Sequence, residues 1–192
     1  IGMMNWKIIF NPFLKFTERQ LLIFGLLFFS INGFICYYAG IKMDSIFHFS
    51  PLKNSDLAIA FFYCGFSIVF AVIVLFILGI IFNNKTRLID ILNAVLISQV
   101  FNFPILLATK FIDLEKITGK AMQNLHLEFT DLILLLVFIG ITLPFIIYGI
   151  VLLYNGFRTA TNIKSWKEIA IFAVVLFILL PICQSISYIF RL

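Results

Sequence analysis

At 192 residues, 62% apolar and 12% charged, the chain has about half the charge usual in soluble domains, which is near 25%. A water-soluble fold is excluded, and an integral membrane protein is expected. The formal charge of +5 is no argument for nucleic acid, because the basic residues are dispersed at the ends of apolar runs, where anionic lipid is the nearer partner.

Five stretches carry no charged residue, between Arg19 and Lys42, Asp56 and Lys85, Asp90 and Lys110, Asp131 and Arg158, and Glu168 and Arg191. Each is long enough to cross about 30 Å of hydrocarbon at about 1.5 Å per residue. The predicted fold class is therefore all-α: a polytopic membrane protein with five transmembrane helices in a single bundle, forming one membrane domain over residues 1–192. The spans are placed at about 19–40, 57–82, 88–109, 131–153 and 168–190.

In chain order, residues 4–17 mix Trp6, Phe10, Phe13 and Phe16 with Lys7 and Lys15, the composition of an interfacial element with its rings at headgroup depth. No short apolar region with a small-residue cleavage site precedes the first span. Thr17-Glu-Arg-Gln20 reads as a capping box that opens it, and Gly25, Ser30 and Gly33 keep parts of it thin enough for close helix contact. Residues 41–56 read as a short loop with His48 and Pro51. The second span follows Ser55-Asp56 and is so uniformly apolar that it is expected to face lipid over much of its circumference.

The third span differs from the rest. A charged ledge of Lys85, Arg87 and Asp90 leads into an uncharged run that carries Asn93, Ser98, Gln99, Asn102 and Pro104, so it is expected to be the inner, least lipid-exposed helix. At about 100° per residue Ser98, Gln99 and Asn102 share roughly a third of the circumference. Pro104 removes a backbone donor and disfavours α geometry at Phe103, which predicts a kink or break near Asn102 to Pro104. Leu114, Ile117, Ala121 and Leu125 then recur at helical spacing and predict a short surface helix weakened at Gly119. The fourth span starts after Asp131, should bend at Pro144, and gives way near Tyr154 to a polar loop that runs to Lys167. Ser165-Trp-Lys-Glu168 is a second capping box, and it opens the last span, which contains Pro181, Gln184 and Ser187.

The spans themselves hold no Asp, Glu, Lys, Arg or His, so the proton relay or ion-coupling site that such residues provide is not predicted. Zinc-protease, nucleophile-elbow, phosphate-loop and dinucleotide motifs are absent, and neither a catalytic residue, a cofactor nor a metal is predicted. His48 and His126 lack a spaced carboxylate or thiol cluster, and Cys36, Cys64 and Cys183 read as packing groups. The polar set Asn32, Asn93, Ser98, Gln99, Asn102 and Gln184 has two readings. It supplies interhelical hydrogen bonds, or it lines a small cavity for a lipid headgroup or a neutral solute.

Five spans put the two termini on opposite sides. The N-terminal side then holds Lys7, Lys15, Arg19, Lys85, Arg87, Arg158, Lys164 and Lys167, eight of the 14 basic residues, a small bias toward a cytoplasmic N terminus and a C terminus outside. Trp6, Arg87, Asp90, Arg158 and Trp166 gather on that side as the expected recognition face.

Asn5-Trp-Lys-Ile-Ile-Phe-Asn-Pro-Phe13, Leu21-Leu-Ile-Phe-Gly25, Arg87-Leu-Ile-Asp-Ile-Leu92 and Tyr154-Asn-Gly-Phe-Arg-Thr-Ala-Thr-Asn162 together resemble the Yip family (Ypt-interacting-protein domain), in its prokaryotic branch. The resemblance implies a five-span helical domain with a cytosolic N terminus, in a prokaryotic inner membrane. Eukaryotic members are associated with Rab-type GTPases and vesicle traffic; this sequence lacks their long polar N-terminal region and their Asp-Leu-Tyr-Gly-Pro motif, so GTPase binding is not carried over. The expected function is that of a non-catalytic protein organising lipids, anionic lipid among them, or membrane partners, including a second copy of itself. The alternative is a small permease or lipid-handling protein that uses a polar cavity around Ser98, Gln99 and Asn102.

Overall fold

Most spans begin where the sequence supplies a cap. In the computed structural model, which describes residues 6–52, 56–111, 117, 119–120 and 128–189, Thr17 Oγ1 accepts from the Gln20 amide while Gln20 Oε1 accepts from the Thr17 amide. Asp56 Oδ1 caps the second span through Ala58 N at 2.6 Å, and Ser165 and Glu168 repeat the reciprocal pair at the fifth. These side chains satisfy orphan N–H groups that lipid cannot. Leu114, Ala121, Leu125 and His126, which carry most of the predicted surface helix, lie outside the described residues.

Five helices are long and apolar enough to cross a membrane: Glu18–Ala39, Leu57–Phe82, Leu88–Leu106, Phe129–Thr161 and Trp166–Ile189. Their alternation defines two faces. The N-terminal face holds Glu18, Arg87, Thr161 and Trp166; the opposite face holds Ala39, Leu57, Phe129 and Ile189. The fourth helix is longer at both ends than expected. Glu128 and Asp131 cap it one turn early, and its 33 residues absorb half of the predicted Tyr154 loop before Asn162 ends it in the left-handed region at φ 56°. The small residues of that stretch serve packing: a Cβ on Gly156 would lie 2.5 Å from the Ala94 Cβ. Pro144 sits inside this helix without dividing it.

The third span is divided, as expected, but one turn earlier. An α-helix over Leu88–Ser98 passes into a 3-10 turn, Gln99–Phe101, and resumes as Asn102–Phe111. Phe103 is helical. Pro104 leaves only Val100 O without its helical donor; the turn itself starts where Asn32 Nδ2 donates to Gln99 O at 3.0 Å. The span is the most enclosed of the five, with 56% of its most apolar stretch buried against 39% for the second and 11% for the fourth. The second span, expected to face lipid over much of its circumference, leaves Phe62, Val69, Ile73, Ile77 and Ile81 exposed and has one packed face besides. Ala60, Tyr63, Cys64, Ser67 and Ala71 form one face packed on its neighbours, and it is the fourth span that carries the widest outer surface.

The loop predicted after the first span is instead an antiparallel hairpin, with β1 Ile41–Ser45 and β2 His48–Pro51. Gly40 at φ 67° turns the chain into it. Its tip reaches the middle of the bundle. A Cβ on Gly149 would meet Phe47 at 2.9 Å and Ser98 O at 3.1 Å, and Gly149 lies 12 residues, about 18 Å, from the end of its helix. Non-helical backbone survives at such depth only when protein encloses it, and Met43, Asp44, Ser45, Ile46 and Phe47 are all buried. Lys42 lies over the Tyr63 ring, 4.4 Å from its centroid.

The N-terminal segment, expected to be an interfacial element, packs on the bundle. A short helix, Trp6–Phe10, and a 3-10 turn, Pro12–Leu14, dock along the fourth span. Tyr148 Oη donates to Ile9 O at 2.5 Å and Asn155 Nδ2 to Phe10 O at 2.7 Å. Two polar side chains of the fourth span thereby find acceptors in the last carbonyls of the short helix, which need donors of their own. Phe10 packs on Tyr148, and Tyr148 on Phe101.

Candidate functional site

The predicted polar residues separate into two places. Ser98, Gln99 and Asn102 form a chain under the hairpin: Gln99 Nε2 donates to Ser98 Oγ at 2.9 Å, Asn102 Nδ2 to Gln99 Oε1 at 2.5 Å, and the same nitrogen reaches Ile46 O at 3.3 Å and Met43 Sδ at 3.6 Å. All three residues are buried, and the hairpin tip fills the space beside them. Gln184 does not join them; it stays half-buried on the fifth span, its carbonyl accepting from Ser187 Oγ.

Asn93 belongs with the charged ledge instead. Its Nδ2 donates to Glu18 O at 3.2 Å, linking the first turn of the first span to the third. Arg87 Nε and Nη2 donate to both oxygens of Asp90, at 3.1 and 3.0 Å, and Arg87 also forms a charged hydrogen bond to Glu18. These two carboxylates, Asp90 first, push the guanidinium pKa above its ordinary value, so Arg87 stays charged at any physiological pH. It is less a free cation than a clasp between two helix starts.

Beneath the clasp is a cleft of about 170 Å³ lined by Phe13, Phe16, Glu18, Leu21, Asp90, Asn93, Gly156, Thr159 and Ala160. That is more than ten times the roughly 10–15 Å³ one water needs by the same measure. Four elements build it: the docked N-terminal segment, the starts of the first and third spans, and the end of the fourth. Of the other residues expected on this face, Trp166 and Arg158 are exposed and do not line the cleft; the helix that begins at Trp6 runs along the fourth span.

Sequence reasoning missed Phe13, Glu18 and Thr159 as cleft residues, and the pairing of Asp44 with His48. His48 Nδ1 and Asp44 Oδ1 are 2.7 Å apart in the hairpin, with Asp44 buried. The alternation of Ile41, Lys42, Met43 and Asp44 was the available signal for that hairpin.

Five membrane-spanning helices around an inserted hairpin, with a polar cleft at one face, define a polytopic α-helical integral membrane protein. The model of the Yip1 domain matches residues 6–186, nearly the whole chain, and the chain belongs to that family. The match takes in both walls of the cleft and the hairpin. No curated protein and no solved structure matches the sequence.

Proposed function

We propose that the protein is non-catalytic and organises lipids or membrane partners through its N-terminal face, with that face cytoplasmic. One observation carries the reading: the open polar volume lies at that face, between Glu18, Asp90, Asn93 and Thr159, while the polar residues in mid-bundle are engaged with one another and with the hairpin. The alternative, a permease using the surroundings of Asn102, requires the hairpin tip to withdraw, and the Asn102 bond to Ile46 O favours the first reading. On the same face, Arg158 and Trp166 supply a cation and an amphipathic ring suited to anionic headgroups. The slight excess of basic residues on this side supports its cytoplasmic placement, and a prokaryotic inner membrane follows only from the resemblance.

Reconstituted protein tests the reading. Arg158→Gln combined with Trp166→Ala should lower association with phosphatidylglycerol vesicles several-fold at unchanged folded yield, whereas Lys42→Gln on the opposite face should not. Labelling of an Asn102→Cys variant, made in a background without the three native cysteines, by a membrane-impermeant thiol reagent would instead move the function to a mid-bundle pathway.

A further inference from the structure

We propose that the Asp44–His48 pair is a proton-operated latch on the hairpin: protonated His48 holds the hairpin tip in the bundle, and loss of that proton loosens it. The inference concerns the side opposite the N-terminal face and does not rest on the function proposed for that face.

The apolar runs of the five spans hold no Asp, Glu, Lys, Arg or His, but the hairpin brings such residues into the bundle. Asp44 is 6% exposed. Its strand packs on the fifth span, where Cys183 lies close enough to Asp44 to feel its charge. Cys183 is six residues, about 9 Å, from the end of that helix at Ile189, so the carboxylate lies below the membrane surface. An ionised carboxylate at such depth needs a partner. Among the described residues its charged partner is His48, whose Nδ1 is 2.7 Å from Asp44 Oδ1. The cation of the same strand, Lys42, is held elsewhere, with Nζ 4.4 Å from the Tyr63 ring centroid and 5.9 Å from that of Tyr188. The other titratable groups that the neighbouring helices bring to the hairpin are Cys36 of the first span, Tyr63 and Cys64 of the second, and Cys183 and Tyr188 of the fifth. None of these is a cation. The third and fourth spans meet the tip with Asn102 and Gly149.

The two partners differ in access. The His48 side chain is 51% exposed, so its proton can leave while the carboxylate stays enclosed. The hydrogen bond to Asp44 raises the His48 pKa above its ordinary value of 6.5, against the opposing effect of burial. A raised pKa means that the docked hairpin binds the proton more tightly than the undocked one. Docking therefore gains below pH 6.5, and the gain is lost as pH rises through the raised value. Neutral His48 still offers an N–H, but the buried carboxylate is then left without a cation.

What the latch holds is the hairpin tip. His48 pairs with Ser45 across the turn, Ile46 O accepts from Asn102, and Phe47 lies against Gly149. The proton thus sets how firmly the hairpin closes over Ser98, Gln99 and Asn102.

Hydrogen exchange of the full chain in detergent, corrected for the intrinsic pH dependence of amide exchange, tests this. Protection of the hairpin amides should fall at least about fivefold between about pH 5.5 and about pH 8.5, since each unit of pKa difference is worth tenfold in the docking equilibrium. His48→Gln and Asp44→Asn should each reduce that fall to less than about twofold. His126→Gln, which removes the other histidine of the chain, should leave it as in the parent. If Asp44→Asn fails to fold, the exposed His48→Gln still decides. A flat profile in the parent, or a fall that survives His48→Gln, overturns the proposal and leaves the pair a fixed structural contact.

Discussion

The third and fourth spans are neighbours of opposite character. The third is short, divided and polar, and is the most enclosed helix of the bundle; the fourth is 33 residues long, continuous and mostly open to lipid along its first half. They nevertheless meet closely where the fourth span loses its side chains. Gly156 faces Ala94, and Gly149 faces Ser98 O and Phe47. The outer part, including Leu134, Leu136, Ile139 and Ile141, stays exposed. In a bilayer apolar side chains gain little by leaving lipid for one another. What draws a helix inward here is a need for hydrogen-bond partners or room for close backbone approach, not apolarity.

That comparison breaks most sharply at two glycines of the fourth span. Adding one Cβ at Gly156 places it 2.5 Å from the Ala94 Cβ and 2.7 Å from the Phe13 ring, whereas at Gly140 it meets nothing within 4 Å. Gly156→Ala should therefore cost about 1–3 kcal/mol through overpacking. Gly140→Ala should instead stabilise by about 0.5–1 kcal/mol, because the helical glycine loses backbone freedom for no packing return. Thermal unfolding in detergent reads both. Equal shifts of the same sign would mean that the third and fourth spans do not pack through Gly156.

Much of the span layout was legible because it depends on neighbours in sequence. Thr17 with Gln20, Asp56, and Ser165 with Glu168 announce helix starts within four residues, and the polar run from Asn93 to Asn102 announces the enclosed helix. What was not legible depends on distant partners. A two-stranded hairpin is marginal alone; Ile41–Ser45 becomes a strand because the bundle covers Met43 and Ile46. The position of the break depends on Asn32, 67 residues away from Gln99. The cleft needs Phe13, Glu18, Asn93 and Thr159 together, and no local pattern unites them. Tyr148 and Asn155 read as a belt and a loop until the N-terminal carbonyls they bind are placed.

A smaller effect sharpens the same contrast through buried polar groups. Asn102→Leu removes the donor to both Gln99 Oε1 and Ile46 O, and should cost about 1 kcal/mol, within the range of interhelical bonds in membranes. It should also raise hydrogen exchange in the hairpin, whose tip that amide holds. Thr142 of the fourth span is buried as well, yet its hydroxyl bonds Phe138 O of its own helix at 2.9 Å. Thr142→Val should fall within about 0.5 kcal/mol of the parent. A larger loss at Thr142 than at Asn102 would refute the idea that the hairpin hangs on the third span.

The smallest effect is expected where the sequence pointed most strongly. Pro144 interrupts nothing in the fourth span, so a proline alone does not divide a helix of this protein. In the third span Pro104 lies in the first turn of the resumed helix, Asn102–Phe111, where its fixed φ is acceptable and a missing N–H matters least. The 3-10 turn lies before it, at Gln99–Phe101, where the Gln99 carbonyl accepts from Asn32. Pro104→Ala should therefore change stability by less than about 0.5 kcal/mol and leave the turn in place, visible as fast amide exchange at residues 100–102 in both proteins. Asn32→Leu removes one of the two donors to a buried carbonyl, which keeps only the Asn102 amide, and should cost about 1 kcal/mol, letting that carbonyl exchange its 3-10 bond for a helical one and slowing exchange there. If Pro104→Ala closes the turn and Asn32→Leu does not, the break belongs to the proline, and the contrast with Pro144 must come from lipid exposure rather than from a captured carbonyl.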